Sequence, residues 1–172
     1  MIDKINVSQI VVDHVRTLRS DATGKVHLSD YLLFLALPLI VSALPVYYQT
    51  ELKESVVTLL MAAFSIFAGL LINVLVLIYT VAIRLEDAVK VSDDGRYQLE
   101  REFIKQIFSN VSFSILVSVL IVFVLFVSSV SPKYVNIAGA AICTFLIVEF
   151  TFTLLMSLKR LHVLLANRID PE

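Results

Sequence analysis

Four long apolar runs constrain this chain most strongly. They cover residues 31–48, 56–83, 111–130 and 137–158, and the only charged residue in any of them is Glu149. A helix needs roughly 17–25 residues to cross a hydrocarbon core of about 30 Å, so every run is long enough. None of the runs shows the polar and apolar alternation of barrel strands. The sequence therefore predicts an all-α, polytopic membrane protein with four transmembrane helices.

The composition supports this class and excludes several others. Of the 172 residues, 58% are hydrophobic and 17% are charged, whereas soluble domains average about 45–50% apolar and about 25% charged residues. The 14 basic and 15 acidic residues leave no cationic excess, so we expect no nucleic-acid partner. A single cysteine and the lack of nucleophile, phosphate-loop or metalloprotease motifs predict a non-enzymatic protein without a metal or cofactor.

The basic residues predict the orientation in the membrane. Twelve of the 14 lie in three segments, before the first run, between the second and third runs, and after the fourth. By the positive-inside rule these segments are cytosolic, which predicts a multi-pass membrane protein with both termini inside. We divide the chain into an N-terminal cytosolic helix and turn at 1–30, a transmembrane domain at 31–158 and a cytosolic tail at 159–172.

The segment 84–110 is predicted to form a cytosolic helical hairpin that extends the second and third spans. The turn signal Ser92-Asp-Asp-Gly95 interrupts an otherwise helical pattern. Apolar residues then recur four apart, which is helical spacing, until the third span begins. We expect this hairpin to dock a cytosolic protein through its charged side chains, namely Arg96, Glu100, Arg101 and Glu102.

The N-terminal segment also has a helical pattern. Its apolar residues recur at spacings of three and four, as in an amphipathic helix: Val7, Ile10, Val11, Val15 and Leu18. The polar face mixes acidic and basic residues, which is not typical of a helix that binds a lipid surface. We therefore favour docking on protein, either this chain or a partner, over docking on membrane lipid.

Small and polar residues inside the spans predict helix contacts. Apolar side chains give helices no reason to associate in lipid, so small and polar residues mark where they touch. They recur at multiples of four in the second and third spans, and one glycine opens a similar pattern in the fourth: Ser65, Gly69, Asn73, Ser114, Ser118 and Gly139. We interpret them as contact faces, within one subunit or between copies in a homo-oligomer; the alternative is that they line a water-filled path.

Glu149 is the one ionisable residue within a span and lies near its centre. Such residues are costly in lipid and face the bundle or a cavity. We expect it to pair with Asn73, with a serine or with a neighbouring subunit; the alternative is that it carries ions in a channel or transporter. Pro38 and Pro45 each remove a helical hydrogen bond and are predicted to kink the first span.

The layout resembles the small four-span membrane subunits of bacterial antiphage defence systems, such as the membrane component of Kiwa-type systems. The shared features are short outer connections at 49–55 and 131–136, the hairpin at 84–110 and three small inner segments. The resemblance implies a homo-oligomer that works with a cytosolic partner. The resulting hypothesis is an oligomeric effector or scaffold that couples this partner to the membrane; the alternative is a small channel or transporter with Glu149 in its path.

Overall fold

The structure, a computed structural model, describes residues 7–17, 32–91 and 95–169. These residues are helical almost throughout, and no strand occurs among them, as the all-α prediction requires. The helices are α1 (Ser8–Thr17), α2 (Leu37–Tyr47), α3 (Glu54–Val91), α4 (Gly95–Ser129) and α5 (Lys133–Ile169), and a π-helical segment, Leu32–Ala36, leads directly into α2.

Three helices are long and apolar enough to cross a membrane. These stretches are Glu54–Arg84 in α3, Glu100–Ser129 in α4 and Lys133–Leu164 in α5, and they contain the last three predicted runs except Val130. Within the described residues, the first predicted run has a shorter apolar helical stretch, Phe34–Tyr47. At 1.5 Å per residue this stretch covers about 20 Å, less than the hydrocarbon thickness. The helix ends at Tyr47, one residue before the end of the predicted run, and the chain then turns at Gln49, whose φ is 48°.

The two prolines of the first run occupy different places in the helix. Pro38 lies in the first turn of α2, directly after the π-helical segment. Pro45 lies inside α2, two residues before its end. The backbone thus changes from π- to α-helical geometry next to Pro38, and the kinks at the two prolines stay predictions.

Helix α4 is the centre of the bundle. It packs against α3 on one side and α5 on the other, while α2 packs on α5 and α1 on α4. Of the most apolar stretch of each helix, 39% is buried in α4 but only 6% in α3. Helix α3 is therefore peripheral, although it still contributes to the core, whose buried members are Val57, Phe64, Val117, Ile121, Leu125, Cys143 and Phe150.

The bundle has two distinct ends. At one, here called the turn end, the loop before α3 meets the connection between α4 and α5. The backbone N–H of Leu52 donates to Oδ1 of Asn136 at 2.6 Å, and Lys133 pairs with Glu51 at 3.0 Å. The opposite end, here called the α1 end, is where α1 contacts α4 and α5. The chain runs from the α1 end to the turn end through α2, which places α2 antiparallel to α5.

One boundary differs from the sequence-based division, and another part of the division agrees with the helices described. Helix α5 continues unbroken to Ile169, so the predicted tail at 159–172 begins as an extension of the fourth span. Helices also run through both arms of the predicted hairpin, since α3 continues to Val91 and α4 begins at Gly95. Residues 92–94, within the predicted hairpin turn, and 18–31, which include the predicted N-terminal turn, lie outside the described residues.

Candidate functional site

One stripe of small and polar residues on α4 faces the inside of the bundle. This inward stripe consists of Asn110, Ser114 and Ser118, each with no exposed surface. The Ser114 hydroxyl donates to the Asn110 carbonyl at 3.0 Å, and the Ser118 hydroxyl donates to the Ser114 carbonyl at 2.8 Å. The serines thus satisfy their own polarity within α4 while their small size allows a neighbouring helix to approach.

The approach is closest at Gly139 on α5. A Cβ atom added at this glycine would lie 1.8 Å from Oγ and 2.9 Å from Cβ of Ser128 on α4. No side chain fits there, so Gly139 is an internal packing residue. Further along the same helix, the buried hydroxyls of Thr153 and Ser157 donate to carbonyls four residues earlier, at 2.8 and 2.9 Å.

Glu149 also lies inside the subunit. Helices α4 and α5 are antiparallel and meet at Ser128 and Gly139, so ten residues along each helix bring Glu149 level with Ser118. The residue is only 9% exposed. Within the described ranges, no group forms a hydrogen bond with its carboxyl. The expected pairing with Asn73 is wrong within one subunit, because Asn73 lies on the exposed surface of α3.

The second stripe faces away from the bundle. This outward stripe consists of Ser65, Gly69 and Asn73 on α3, and all three residues are exposed. A Cβ atom added at Gly69 would meet nothing within 4 Å. Its neighbours Ile66 and Leu70 are large, apolar and more than half exposed. The outward stripe is therefore a polar strip on an apolar helix surface that no other part of the described chain covers.

Helix α1 docks on its own chain, but not by the face that the sequence indicated. Its buried residues are His14, 3% exposed, and Thr17, 8% exposed, and the His14 ring stacks on Phe113 of α4 with centroids 3.9 Å apart. By contrast, Val11 and Val15 remain 39% and 50% exposed. The polar face docks because it meets Asn110 on α4, which is the residue of the inward stripe closest to the α1 end.

Hydrogen bonds join α1 to Asn110. Nδ1 of His14 lies 3.0 Å from Oδ1 of Asn110, and Oγ1 of Thr17 lies 2.8 Å from the same oxygen and 2.7 Å from the His14 carbonyl oxygen. In this arrangement Nδ2 of Asn110 has no partner among the described residues. Rotating the amide by 180° gives it two acceptors, Nδ1 of His14 and Oγ1 of Thr17, and leaves the hydroxyl to donate to the carbonyl. We assign this orientation, because it pairs both amide hydrogens with acceptors and requires a neutral imidazole.

Arg160 of α5 completes the cluster at the α1 end. Its Nη2 donates to the carbonyl oxygen of Thr17, at the C-terminus of α1, where a cation is favourable. Burial is the largest cause that lowers the pKa of His14, and the nearby Arg160 cation lowers it as well; an Asn110 oxygen accepting from the ring would raise it, but only in the unrotated orientation of the amide. The net shift is downward, so the imidazole is neutral at neutral pH.

Sequence reasoning missed His14, Thr17, Phe113 and Arg160 as a site. One signal was present: His14 interrupts the apolar pattern of the N-terminal helix, and a polar side chain on such a helix needs a polar partner. Among the predicted partner-docking residues, Glu100 is half-buried, Arg101 and Glu102 are exposed, and the side chain of Arg96 lies outside the described part.

The rest of the described chain offers no metal site. No group of three or more His, Cys, Asp or Glu side chains that could hold a metal occurs in the ranges that the structure describes. Cys143 is free and buried in the core.

No protein family, curated protein or solved structure matches the chain. Function therefore has to follow from the geometry of the molecule itself.

Proposed function

We propose that the protein is a non-enzymatic, homo-oligomeric inner-membrane scaffold or effector that couples a cytosolic partner to the membrane. The observation that carries this proposal is the outward stripe on α3. In lipid, the exposed amide of Asn73 finds no donor or acceptor, which is costly. A second copy of the chain supplies both a polar partner for Asn73 and a surface that fits over Gly69.

The geometry also supports four crossings with a cytosolic α1 end. The chain reaches the turn end through α2, whose preceding residue Phe34 contacts Phe152 in the middle of α5. It then returns through α3, crosses again in α4 and returns in α5. The α1 end holds the segments that carry 12 of the 14 basic residues, which is the composition of a cytosolic side.

Coupling follows from helix continuity. The hairpin arms continue α3, which bears the outward stripe, and α4, which is the central helix. A partner that binds the exposed Arg101 and Glu102 therefore acts directly on α4, and the packing of α4 against α3 carries the effect to the outward stripe. The burial of Glu149 within one subunit supports this scaffold over a channel that uses Glu149 as its path. We place the protein in bacterial antiphage defence, following its resemblance in layout to Kiwa-type membrane subunits.

Native mass spectrometry of the purified protein in lipid nanodiscs tests the assembly. We expect the wild type to give one defined oligomer, and Gly69→Leu and Asn73→Leu to shift it at least fivefold toward monomer, an effect of about 1 kcal/mol. Thr151→Leu, on an exposed position of α5, is the matched control and should leave the oligomer unchanged. A wild-type monomer, or normal assembly of both α3 variants, contradicts the proposal.

Partner coupling needs a separate test in the native host. Reversing Glu100 and Glu102 to lysine should abolish co-purification of a stoichiometric soluble protein while membrane insertion and oligomer mass stay unchanged. Retention of that partner by the reversed variant removes the hairpin from the proposed docking surface.

A further inference from the structure

A groove of about 560 Å³ lies between α1 and the first turns of α4. Four charged residues line it, Asp13 and Arg16 from α1 and Glu102 and Lys105 from α4. Two are acidic and two are basic, so the groove has no net charge but offers both signs a short distance apart. This pattern favours a zwitterionic ligand over a simple anion or cation.

The groove lies at the membrane boundary. The uncharged apolar run of α4 begins at Val111, and the groove follows α4 from Glu102 to Ser112, about 15 Å of helix, so its deeper end reaches the start of that run. Its charged α4 residues are at the shallow end, and Phe108, 41% exposed, lies deeper. Each polar layer of a bilayer is about 5–8 Å thick, so the groove lies at the level of the headgroup layer and meets the edge of the hydrocarbon core at its deeper end. The groove thus has the polarity gradient of a phospholipid.

Several polar groups in the groove remain available to a ligand. Oγ of Ser109 is buried, lines the groove and has no hydrogen-bond partner among the described residues. Neither Glu102 nor Lys105 forms an ion pair within the described ranges. Asp13 accepts hydrogen bonds from Nε2 of Gln9 at 3.0 and 3.2 Å and forms an exposed ion pair with Arg16 at 3.5 Å, all on the surface of α1. A buried hydroxyl without a partner is costly, and a bound headgroup would satisfy it.

We infer that this groove binds one phospholipid whose headgroup carries both a phosphate and a primary ammonium, as in phosphatidylethanolamine. Lys105 and Arg16 bind the phosphate, Glu102 and Asp13 accept hydrogen bonds from the ammonium, and the acyl chains follow the Phe108 side of α4. The exposed Val11 and Val15 of α1 then lie against the same leaflet. The inference requires that the chain spans a membrane and does not depend on the proposed oligomer. Because Glu102 also belongs to the proposed partner surface, Lys105→Gln and Ser109→Ala, which leave that surface unchanged, distinguish the two proposals.

Lipid retention by the full-length protein tests this site. We would prepare nanodiscs with equal parts of phosphatidylethanolamine, phosphatidylglycerol and phosphatidylcholine, release the protein into mild detergent and count bound lipids by native mass spectrometry. We expect one phosphatidylethanolamine per subunit, retained at least tenfold over the other two. Free phosphoethanolamine at millimolar concentration should not displace the lipid. Displacement would mean that the site binds the soluble headgroup without the acyl chains.

Variants separate this site from general lipid adhesion. Lys105→Gln and Glu102→Gln should each lower retention about tenfold, and Ser109→Ala about threefold, with an unchanged circular dichroism spectrum. Lys133→Gln, which breaks the exposed ion pair at the turn end, is the matched control and should retain the lipid. Equal retention of the three lipids, no retained lipid, or wild-type retention by Lys105→Gln overturns the inference.

Discussion

The two stripes of small and polar residues, one on α3 and one on α4, have the same spacing and similar residue types, but they lie in opposite environments. Asn110, Ser114 and Ser118 are completely buried inside the subunit, whereas Ser65, Gly69 and Asn73 are exposed. Both have the spacing of four that marks a helix contact. The comparison teaches that this spacing identifies a contact face but not what covers it, because coverage depends on the position of the helix in the bundle.

The two asparagines make the difference concrete. Asn110 reaches His14 and Thr17 of α1, so its amide is satisfied within the chain. Asn73 has no such neighbour in the described part of the chain, and its helix is the least buried of the three long ones. A serine can satisfy its hydroxyl on its own helix, but an asparagine needs a second element. Asn73 therefore carries more information about assembly than Ser65 does.

The largest expected effect comes from filling the closest contact on the inward side. Gly139→Leu forces a side chain into Ser128 and should lower the free energy of unfolding by about 3 kcal/mol, the upper end of the usual cost of overpacking. Thermal unfolding in detergent measures it. Gly69→Leu, which meets nothing within 4 Å, should unfold like the wild type.

A rescue experiment shows whether the cause is this contact. Combining Gly139→Ala with Ser128→Gly removes the atoms that an added Cβ would strike, so the double variant should recover most of the stability that Gly139→Ala loses. If Gly139→Leu were as stable as Gly69→Leu, the two glycines would be equivalent and the contrast between the inward and outward faces would fail.

The second prediction compares alanine substitutions at the two asparagines. Asn110→Ala leaves the buried His14 ring without its hydrogen bond and should cost about 2 kcal/mol of stability, because a buried group without a partner loses its solvation. It should also release α1, which a spin label on the exposed Val12→Cys reports as a mobile spectrum. Asn73→Ala should leave both stability and label mobility at wild-type values; a mobile label in that variant would contradict the assignment.

The third prediction concerns the polar group of the inward side that no hydrogen bond satisfies. Glu149 is buried, and no described residue bonds its carboxyl. Glu149→Leu should therefore raise the free energy of unfolding by about 1 kcal/mol, because it removes an uncompensated polar group from an apolar site. Glu149→Gln should be less stable than Glu149→Leu. Loss of stability in the leucine variant would show that the carboxyl bonds a group in a neighbouring subunit.

Hydropathy predicted much of the fold, since helix length and apolar content decide which segments cross a bilayer. The long apolar helices α3, α4 and α5 follow from this rule, whereas the hairpin was predicted from periodicity and its turn lies outside the described residues. The docking of α1 could not be predicted in this way, because its hydrogen bond joins His14 to Asn110, 96 residues away. Sequence periodicity indicates only which residues of one helix share a face. The same limit hides whether Gly69 and Gly139 face inward or outward, since both are small residues within apolar helices.

The last prediction, with the most local effect, uses pH to weaken the docking of α1 on Asn110 of the inward stripe. The pKa of His14 is lowered in the docked state from its ordinary value of 6.5, because burial and Arg160 disfavour the imidazolium. The released state therefore binds more protons, and docking must weaken as the pH falls below about 6.5. The Val12→Cys spin label should be immobile at pH 7.5 and increasingly mobile toward pH 5.

Neighbouring groups supply the controls for this titration. Arg160 stays charged throughout, while Phe113 and Asn110 of α4 do not titrate, so none of them accounts for a transition near pH 6. Asp13, Arg16, Glu102 and Lys105 line the adjacent groove, so a variant of each serves as a further control. His162 on α5 is the other histidine of the described residues and is exposed, so His162→Gln must keep the transition. His14→Gln should abolish it, because glutamine cannot be protonated; a transition that survives in His14→Gln would place the pH sensor elsewhere in the chain.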